Sequence, residues 1–395
     1  MQKYGRIFNF SAGPAMIPLE VLEQARDQMM NYEETGQCVM EMSHRSGEYD
    51  KIFKDSQQAL RDLLRVPDNY HILFLQGGGT LMFAAVVMNL VGGPKTDKKP
   101  VVDYLLTGDW SQKAIDEARQ YDAFCDVNIA ATVDTKGANP IIPPQDTWKL
   151  TPGAAYVHFT SNETIKGINF NEIPTFPPDT VVVCDMSSDF ISRRIDVSKF
   201  GVIYAGAQKN AGPAGTTIVI VRNDLLNRSL KICPSAVNFK KQADKGSMLN
   251  TPPTYSVYIS GLCFKYYLKI GGLEAVERQK QDKAQLLFDT ITNSGGYYEF
   301  IVPDIRYRSL INVTFRCFAG DHQHVTENKD KMTPFEIRLI ECAKKEKLKN
   351  LKGHVTNGGI RASLYNAMPI EGVRALCQFL VKFQHDNPLT QEGPK

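Results

Sequence analysis

Hydrophobic positions are spaced in two ways along this chain, and the change of spacing divides it. Between residues 71 and 222, short apolar runs recur without alternation, at 71–76, 102–107, 126–132, 155–160, 181–185, the run opening at Val202, and 216–222. Unbroken apolar runs of this length predict strands covered on both faces. Between them lie helical spacings. Leu19, Leu22, Ala25, Met29 and Tyr32 follow Pro18 in a predicted helix running to Glu34, and Ile52, Phe53, Leu60, Leu63 and Leu64 mark another. A further helix is predicted over 81–90, and Gly108–Asp109–Trp110 opens one more. Strands alternating with helices predict an α/β fold with a wound, mostly parallel sheet and its chemistry at the strand ends. Beyond Arg222 the order changes: helices over 255–269, 273–293, 334–347 and 370–384, with strands only at 312–315 and 360–364. This predicts an N-terminal arm (1–17), a large domain (18–270) and a smaller α+β domain (271–395).

Composition narrows the function classes. The 395 residues carry 46 basic and 43 acidic side chains, a net charge of +3 with no basic run, so a nucleic-acid partner is not expected. Eight cysteines lie far apart without a CxxC pair, which argues against a disulfide framework or structural zinc. The N-terminus lacks the apolar core of a signal peptide and no apolar run is long enough to span a bilayer, so the expected location is cytoplasmic, without membrane contact. His322 and His324 sit in a charged insertion, 320–332, but no third ligand accompanies them, and no metal site is assigned.

The candidate chemistry gathers where strands end. Residues 202–215, VIYAGAQKNAGPAG, deliver Lys209 from a buried strand into a glycine-rich loop. Such a lysine is either an ordinary surface residue or an amine kept dry, with a lowered pKa and the reactivity of a Schiff-base nucleophile. Upstream, VVVCD ends a second apolar strand in Asp185. An amine and a carboxylate so placed are what pyridoxal phosphate (PLP) requires, the carboxylate holding the pyridine nitrogen protonated. Gly77–Gly78–Gly79–Thr80 joins a strand to a helix start, either a tight turn or a cradle for phosphate. It has neither GxGxxG spacing nor a Lys-Ser/Thr pair, so no dinucleotide or nucleoside triphosphate site is supported. Trp110 is either core or a face for a flat ring, and Thr164 lies just after another strand. His44 and Arg45 are either solvated or a paired donor site for phosphate or carboxylate.

FNFSAGPA, EMSHRSG, CDMSSDF, GAQKNAGPAG, NTPPTYS and GGIRASLYNA occur in one order over nearly the whole chain, which resembles the phosphoserine aminotransferase family of class V aminotransferases. The resemblance implies the PLP-dependent transferase fold (fold type I). It implies Lys209 as the Schiff-base and proton-shuttling lysine, Asp185 on the pyridine nitrogen, Trp110 over the ring and Thr164 on the ring hydroxyl. Gly79, Thr80 and Gln208 would hold the cofactor phosphate, with Asn250 and Thr251 supplied by a second subunit, so a homodimer with shared sites is implied. Arg361 would clamp the substrate α-carboxylate, and His44, Arg45 and His354 would take the substrate phosphate or glutamate's distal carboxylate. The implied reaction converts 3-phosphohydroxypyruvate and glutamate to phosphoserine and 2-oxoglutarate, in serine biosynthesis.

Two departures stand out. Val355 follows His354 where the family has arginine, which predicts weaker binding of a phosphorylated substrate, since a charge-assisted bond contributes about 1.5–3 kcal/mol. Leu81 and Met82 stand where the family favours glycine and glutamine, which predicts altered packing near the phosphate but not loss of cofactor. Two alternatives stay open: an aminotransferase or lyase of this fold with a non-phosphorylated substrate, and a non-catalytic metabolite-binding α/β protein.

Overall fold

The apolar runs pair into one seven-stranded sheet in the computed structural model, which describes residues 3–93, 98–134, 140–318 and 332–388. Its strands are β1 (Tyr70–Leu75), β2 (Val101–Leu106), β3 (Asp126–Thr132), β4 (Tyr156–Thr160), β5 (Val182–Asp185), β6 (Val202–Gly206) and β7 (Thr217–Arg222). They lie in the order β1-β7-β6-β5-β4-β2-β3. Every pairing is parallel except the two made by β7, which runs antiparallel to β1 and to β6. The other six strands therefore all end at the same edge of the sheet.

Side-chain alternation along these strands fills two cores. Ile72, Phe74, Phe159, Cys184, Ile203 and Ile220 point to one face, against α2 (Gly47–Leu64) and α5 (Thr254–Lys269). Leu73, Tyr104, Val183, Tyr204 and Val219 point to the other, against α3 (Gly78–Leu90) and α4 (Asp109–Arg119). At roughly 1.5–3 kcal/mol for each large apolar side chain buried, this two-sided burial holds the sheet between its helices. α3 shows the point locally: it is apolar nearly all round, and Met82 to Leu90 are all buried. Met82 is fully enclosed whereas Leu81 is 37% exposed, so only the former is core.

A second, three-stranded antiparallel sheet, β8 (Tyr298–Phe300), β9 (Asn312–Cys317) and β10 (Ile360–Ser363), has its own core. It packs with α6 (Gly272–Thr292), α7 (Pro334–Lys345) and α8 (Ile370–Asp386). Thr333 and Glu336 form a capping box at the start of α7, and Glu336 also pairs with the buried Arg316 at 2.7 Å. The arm crosses between the two sheets. Phe8–Asn9 pairs in parallel with Leu348–Lys349, and the Ala15 N–H donates to the Gln208 carbonyl at 2.8 Å.

One helix is shorter than its periodicity predicts. α1 (Leu19–Asp27) stops well before Glu34, and residues 32–34 form a separate 3₁₀ turn in which Glu33 and Glu34 have φ of 44° and 63°. The Asn31 side chain accepts from the Gly36 N–H at 2.7 Å, closing a local turn that competes with the helix. Tyr32 still reaches the core, edge-on to Tyr258 at 5.7 Å, so its hydrophobic spacing mimics a helical one. The eight cysteines are all unpaired. His322, His324 and nearly all of the charged insertion lie outside the described residues. Among those described, no helix is long and apolar enough to cross a membrane.

Candidate active site

The edge where the parallel strands end carries a cleft of about 300 Å³. β5 finishes on Asp185, which is 5% exposed and accepts from the Ser187 N–H at 2.9 Å. Burial raises its pKa above the usual carboxylate range, opposed by the Ser187 bonds and by the charge of Lys209. β6 ends at Gly206, and three residues later Lys209 turns into the same cleft. Its Nζ donates to Thr164 Oγ1 at 2.9 Å and lies 5.5 Å from the centre of the Trp110 ring. Desolvation pushes this amine down to about 8, against the pull of Asp185. The arm closes over the lysine: a Cβ on Gly13 would sit 3.3 Å from Lys209 Cγ.

The glycine loop owes its shape to sterics. Gly77 has φ of 97°, and a Cβ there would meet Leu81 Cδ2 at 2.4 Å, so only glycine serves. The Gly78 N–H donates to Thr217 Oγ1 at 2.7 Å, anchoring the loop to β7. Gly79 and Thr80, in the first turn of α3, therefore line the cleft with the positive end of the helix dipole behind them.

Trp110 is the second residue of α4, and the start of that helix is held by a carboxylate from elsewhere. Glu163 is fully buried, and its two oxygens accept from the Trp110 N–H at 2.9 Å, the Ser111 N–H at 2.9 Å and the Ser111 hydroxyl at 2.7 Å. Burial pushes Glu163 up to about 7, with Asp109 adding to the rise and the Ser111 and Trp110 bonds opposing it.

The small sheet supplies the opposite wall. Arg361 is the second residue of β10, half-buried in a strand otherwise buried, and its Nη1 donates to the Thr164 carbonyl at 3.3 Å. Desolvation lowers its pKa. The two sheets are locked together here: Asn162 Nδ2 donates to Asn312 Oδ1 at 2.7 Å, and the Asn366 N–H donates to Asn210 Oδ1 at 2.9 Å. His354 also lines the cleft, whereas Val355 beside it is 73% exposed.

Of the residues singled out from sequence, Gly79, Thr80, Trp110, Thr164, Asp185, Gln208, Lys209, His354 and Arg361 meet in this cleft. Asn250 and Thr251 are exposed and lie outside it, and so do His44 and Arg45. Ala12, Gly13, Asn162, Glu163 and Ser187 are residues of the site to which sequence reasoning gave no role: Ala12, Gly13 and Ser187 lie inside quoted motifs, and Asn162 and Glu163 are polar groups at a strand's end. A larger cavity of about 1010 Å³ lies between the arm and helices α6 and α8. Its buried amine, Lys283, is spent on backbone carbonyls, including those of Tyr365 at 2.8 Å and Met368 at 3.0 Å.

The cleft suits a small anionic aromatic cofactor. Thr160 Oγ1, Trp110 Nε1 and Arg361 Nε are buried with no partner, three polar atoms awaiting a ligand or water. The donor set combines an aldehyde-reactive amine, a buried carboxylate, an indole face and a helix start, which fits PLP and its phosphate.

Comparison with known proteins agrees. The model of the family "Aminotransferase class-V" matches residues 7–376. A phosphoserine aminotransferase of Laribacter hongkongensis is 46% identical over 377 residues, covering 95% of this chain and 98% of its own. The solved phosphoserine aminotransferase of Bacillus circulans subsp. alkalophilus superposes with a TM-score of 0.88 at 38% identity, covering 97% of this chain and 99% of its own. That of Trichomonas vaginalis, solved with PLP bound, gives 0.86 at 38% identity, over 95% of this chain and 100% of its own. Fold, cleft and likeness over nearly the full length lead to one assignment: the chain belongs to the class V aminotransferases of PLP fold type I and, within them, to the phosphoserine aminotransferase family.

Proposed function

We propose that this chain binds PLP and transfers the amino group of glutamate to 3-phosphohydroxypyruvate, yielding phosphoserine and 2-oxoglutarate. One observation carries the reading: a desolvated lysine amine, held by Thr164, shares a closed cleft with a buried aspartate in a chain matched throughout by phosphoserine aminotransferases. Bound PLP supplies an aldehyde that captures amines and a pyridinium ring that accepts electron density from the substrate Cα.

The residues of this chain do the rest. With a pKa of about 8, Lys209 is half neutral near that pH, whereas an ordinary lysine offers only roughly a fraction of a percent of neutral amine there. Thr164 Oγ1 steers Nζ, which takes the proton from the substrate Cα and hands it on once the substrate amine has displaced it. Burial disfavours the charged form of Asp185, and a protonated pyridine nitrogen beside it would stabilise the carboxylate. Gly79, Thr80 and Gln208 hold the cofactor phosphate, and Trp110 covers the ring face. Arg361 binds the substrate α-carboxylate, its planar fork suited to a bidentate grip. His44, Arg45 and His354 serve the substrate phosphate or the distal carboxylate of glutamate.

Asn250, Thr251, His44 and Arg45 stay outside the cleft of their own chain, which supports a homodimer in which a second copy completes each site. Mixing a Lys209→Ala chain with a chain altered at Asn250 and Thr251 then restores activity that neither has alone; no restoration would argue for a self-sufficient protomer.

The deciding experiment is a keto-acid panel with glutamate as donor. The expected result is a preference for 3-phosphohydroxypyruvate over its unphosphorylated counterpart. Exposed Val355 in place of a cation favours a second reading, a non-phosphorylated acceptor, and equal turnover of the two compounds would install it.

A further inference from the structure

The start of α4 has an unusual cap. Helices are normally capped by the residue that precedes them, most often Ser, Thr, Asp or Asn. Here that residue is Gly108, which has no side chain to offer, and a Cβ on it would meet the Glu163 carboxyl carbon at 2.6 Å. The carboxylate arrives instead from a different strand end and accepts from Trp110 and Ser111 together. Burying a carboxylate is costly, and a local serine would satisfy the same N–H groups more cheaply. The remote cap achieves something a local one cannot: it ties two segments together.

What it ties is specific. Glu163 is followed by Thr164, whose hydroxyl receives the Lys209 amine and whose carbonyl receives Arg361 Nη1. A short antiparallel pairing, Asn162–Glu163 with Ile168–Asn169, fixes the backbone of this dipeptide. One rigid pair of residues thus touches the helix that bears the indole, the reactive amine and the guanidinium. On α4 itself the Trp110 ring meets only the Lys113 amine, whose Nζ lies 4.4 Å from the ring centre, and the indole Nε1 has no hydrogen-bond partner to fix its direction.

We infer that Glu163 is a positioning residue, whose carboxylate sets where the Trp110 indole lies over the cofactor ring and keys that placement to Thr164 and Lys209. The inference rests on the PLP reading above. Glu163→Gln keeps the size of the side chain and one acceptor, but turns an NH₂ group toward N–H donors. A Trp148→Phe background leaves Trp110 as the sole indole, so its emission reports its own position.

Glu163→Gln is expected to weaken PLP binding about tenfold, the scale of one charge-assisted hydrogen bond. It is also expected to leave Trp110 more open to acrylamide in the cofactor-free protein and less quenched when PLP binds. Ser111→Ala, which leaves the carboxylate in place but removes the hydroxyl that donates to it and accepts from the Thr107 and Gly108 N–H groups, is expected to do the same to about threefold. It stands as the test should the glutamine chain fail to fold. Unchanged PLP affinity and Trp110 quenching in both variants would overturn the inference. So would weakened affinity with unaltered Trp110 emission, since Glu163 would then act through its field and not through placement. The visible absorption of the unmodified protein with PLP, and its loss in Lys209→Ala, separates this failure from failure of the cofactor reading, which would remove both.

Discussion

The two ends of the cleft are built differently. At the ring end, Asp185, Lys209, Thr164, Trp110 and Glu163 are buried or half-buried, and each is held by a bond within one chain: Asp185 by the Ser187 N–H, Lys209 by Thr164, and the Trp110 N–H by Glu163. At the mouth, the His354 ring bonds Thr356 two residues on and Val355 stands in solvent, while His44, Arg45, Asn250 and Thr251 lie outside the cleft of their own chain. Chemistry that depends on desolvation belongs at the closed end. Recognition of a charged, variable substrate tail belongs at the open one, where single substitutions change little of the fold. The difference teaches that the groups proposed for the chemistry are buried within one chain, whereas several of those proposed for recognition lie outside its cleft.

Lys209→Ala should break the closed end outright. Activity is expected to fall ~10⁴-fold or more, with the visible cofactor band lost, checked by steady-state assay and absorption. Asp185→Asn removes the charge that balances a protonated ring nitrogen and should lower kcat by roughly 10²–10³-fold, with little effect on glutamate KM. A kcat within a fewfold of the original would show that the carboxylate is not engaged there.

The desolvation of Lys209 has a stability signature of its own. Its pKa is about 8 in the folded, cofactor-free protein, against 10.5 for the ordinary side chain. Between those values the unfolded chain binds more protons than the folded one, so stability rises with pH across that window. The contribution is roughly 3 kcal/mol, and Lys209→Met should lack it. Lys280 and Lys283 are depressed in the same direction, so the measure is the difference between the two proteins in urea unfolding at pH 8 and pH 10.

Smaller effects are expected toward the mouth. Arg361→Lys keeps the charge but loses the planar fork, and should raise KM for both amino donors about tenfold while sparing cofactor binding. Val355→Arg should tighten 3-phosphohydroxypyruvate binding by only about threefold to fivefold, because an exposed charge is screened. A gain as large as that lost in Arg361→Lys would mean that the mouth is as desolvated as the ring end and would erase the contrast.

The same contrast decides what could be read without coordinates. Strands of the main sheet announced themselves because burial on both faces leaves apolar runs that no other element needs, and β4, buried throughout, spans Tyr156–Thr160 within the predicted run 155–160. Lys209 and Asp185 were legible because each closes such a run. Glu163 was not: its role depends on a helix start that only folding brings near, and Gly108 carries no mark of the side chain that displaces its Cβ. The end of α1 was misread because Tyr32 reaches the core through a turn while keeping helical spacing. The placement of His44 and Asn250 outside their own cleft depends on surface geometry that no local pattern encodes.

The arm carries a consequence for the order in which the molecule is made. Phe8 pairs beside Leu348, the Phe10 carbonyl accepts from the Ser363 N–H, and the Ala12 carbonyl accepts from the Tyr365 hydroxyl. Residues 8–12 thus wait for residues 348–365 before the wall over Lys209 can be laid. A nascent chain can assemble its large sheet early, yet it remains unable to seal its reactive amine until residues 348–365 have been made.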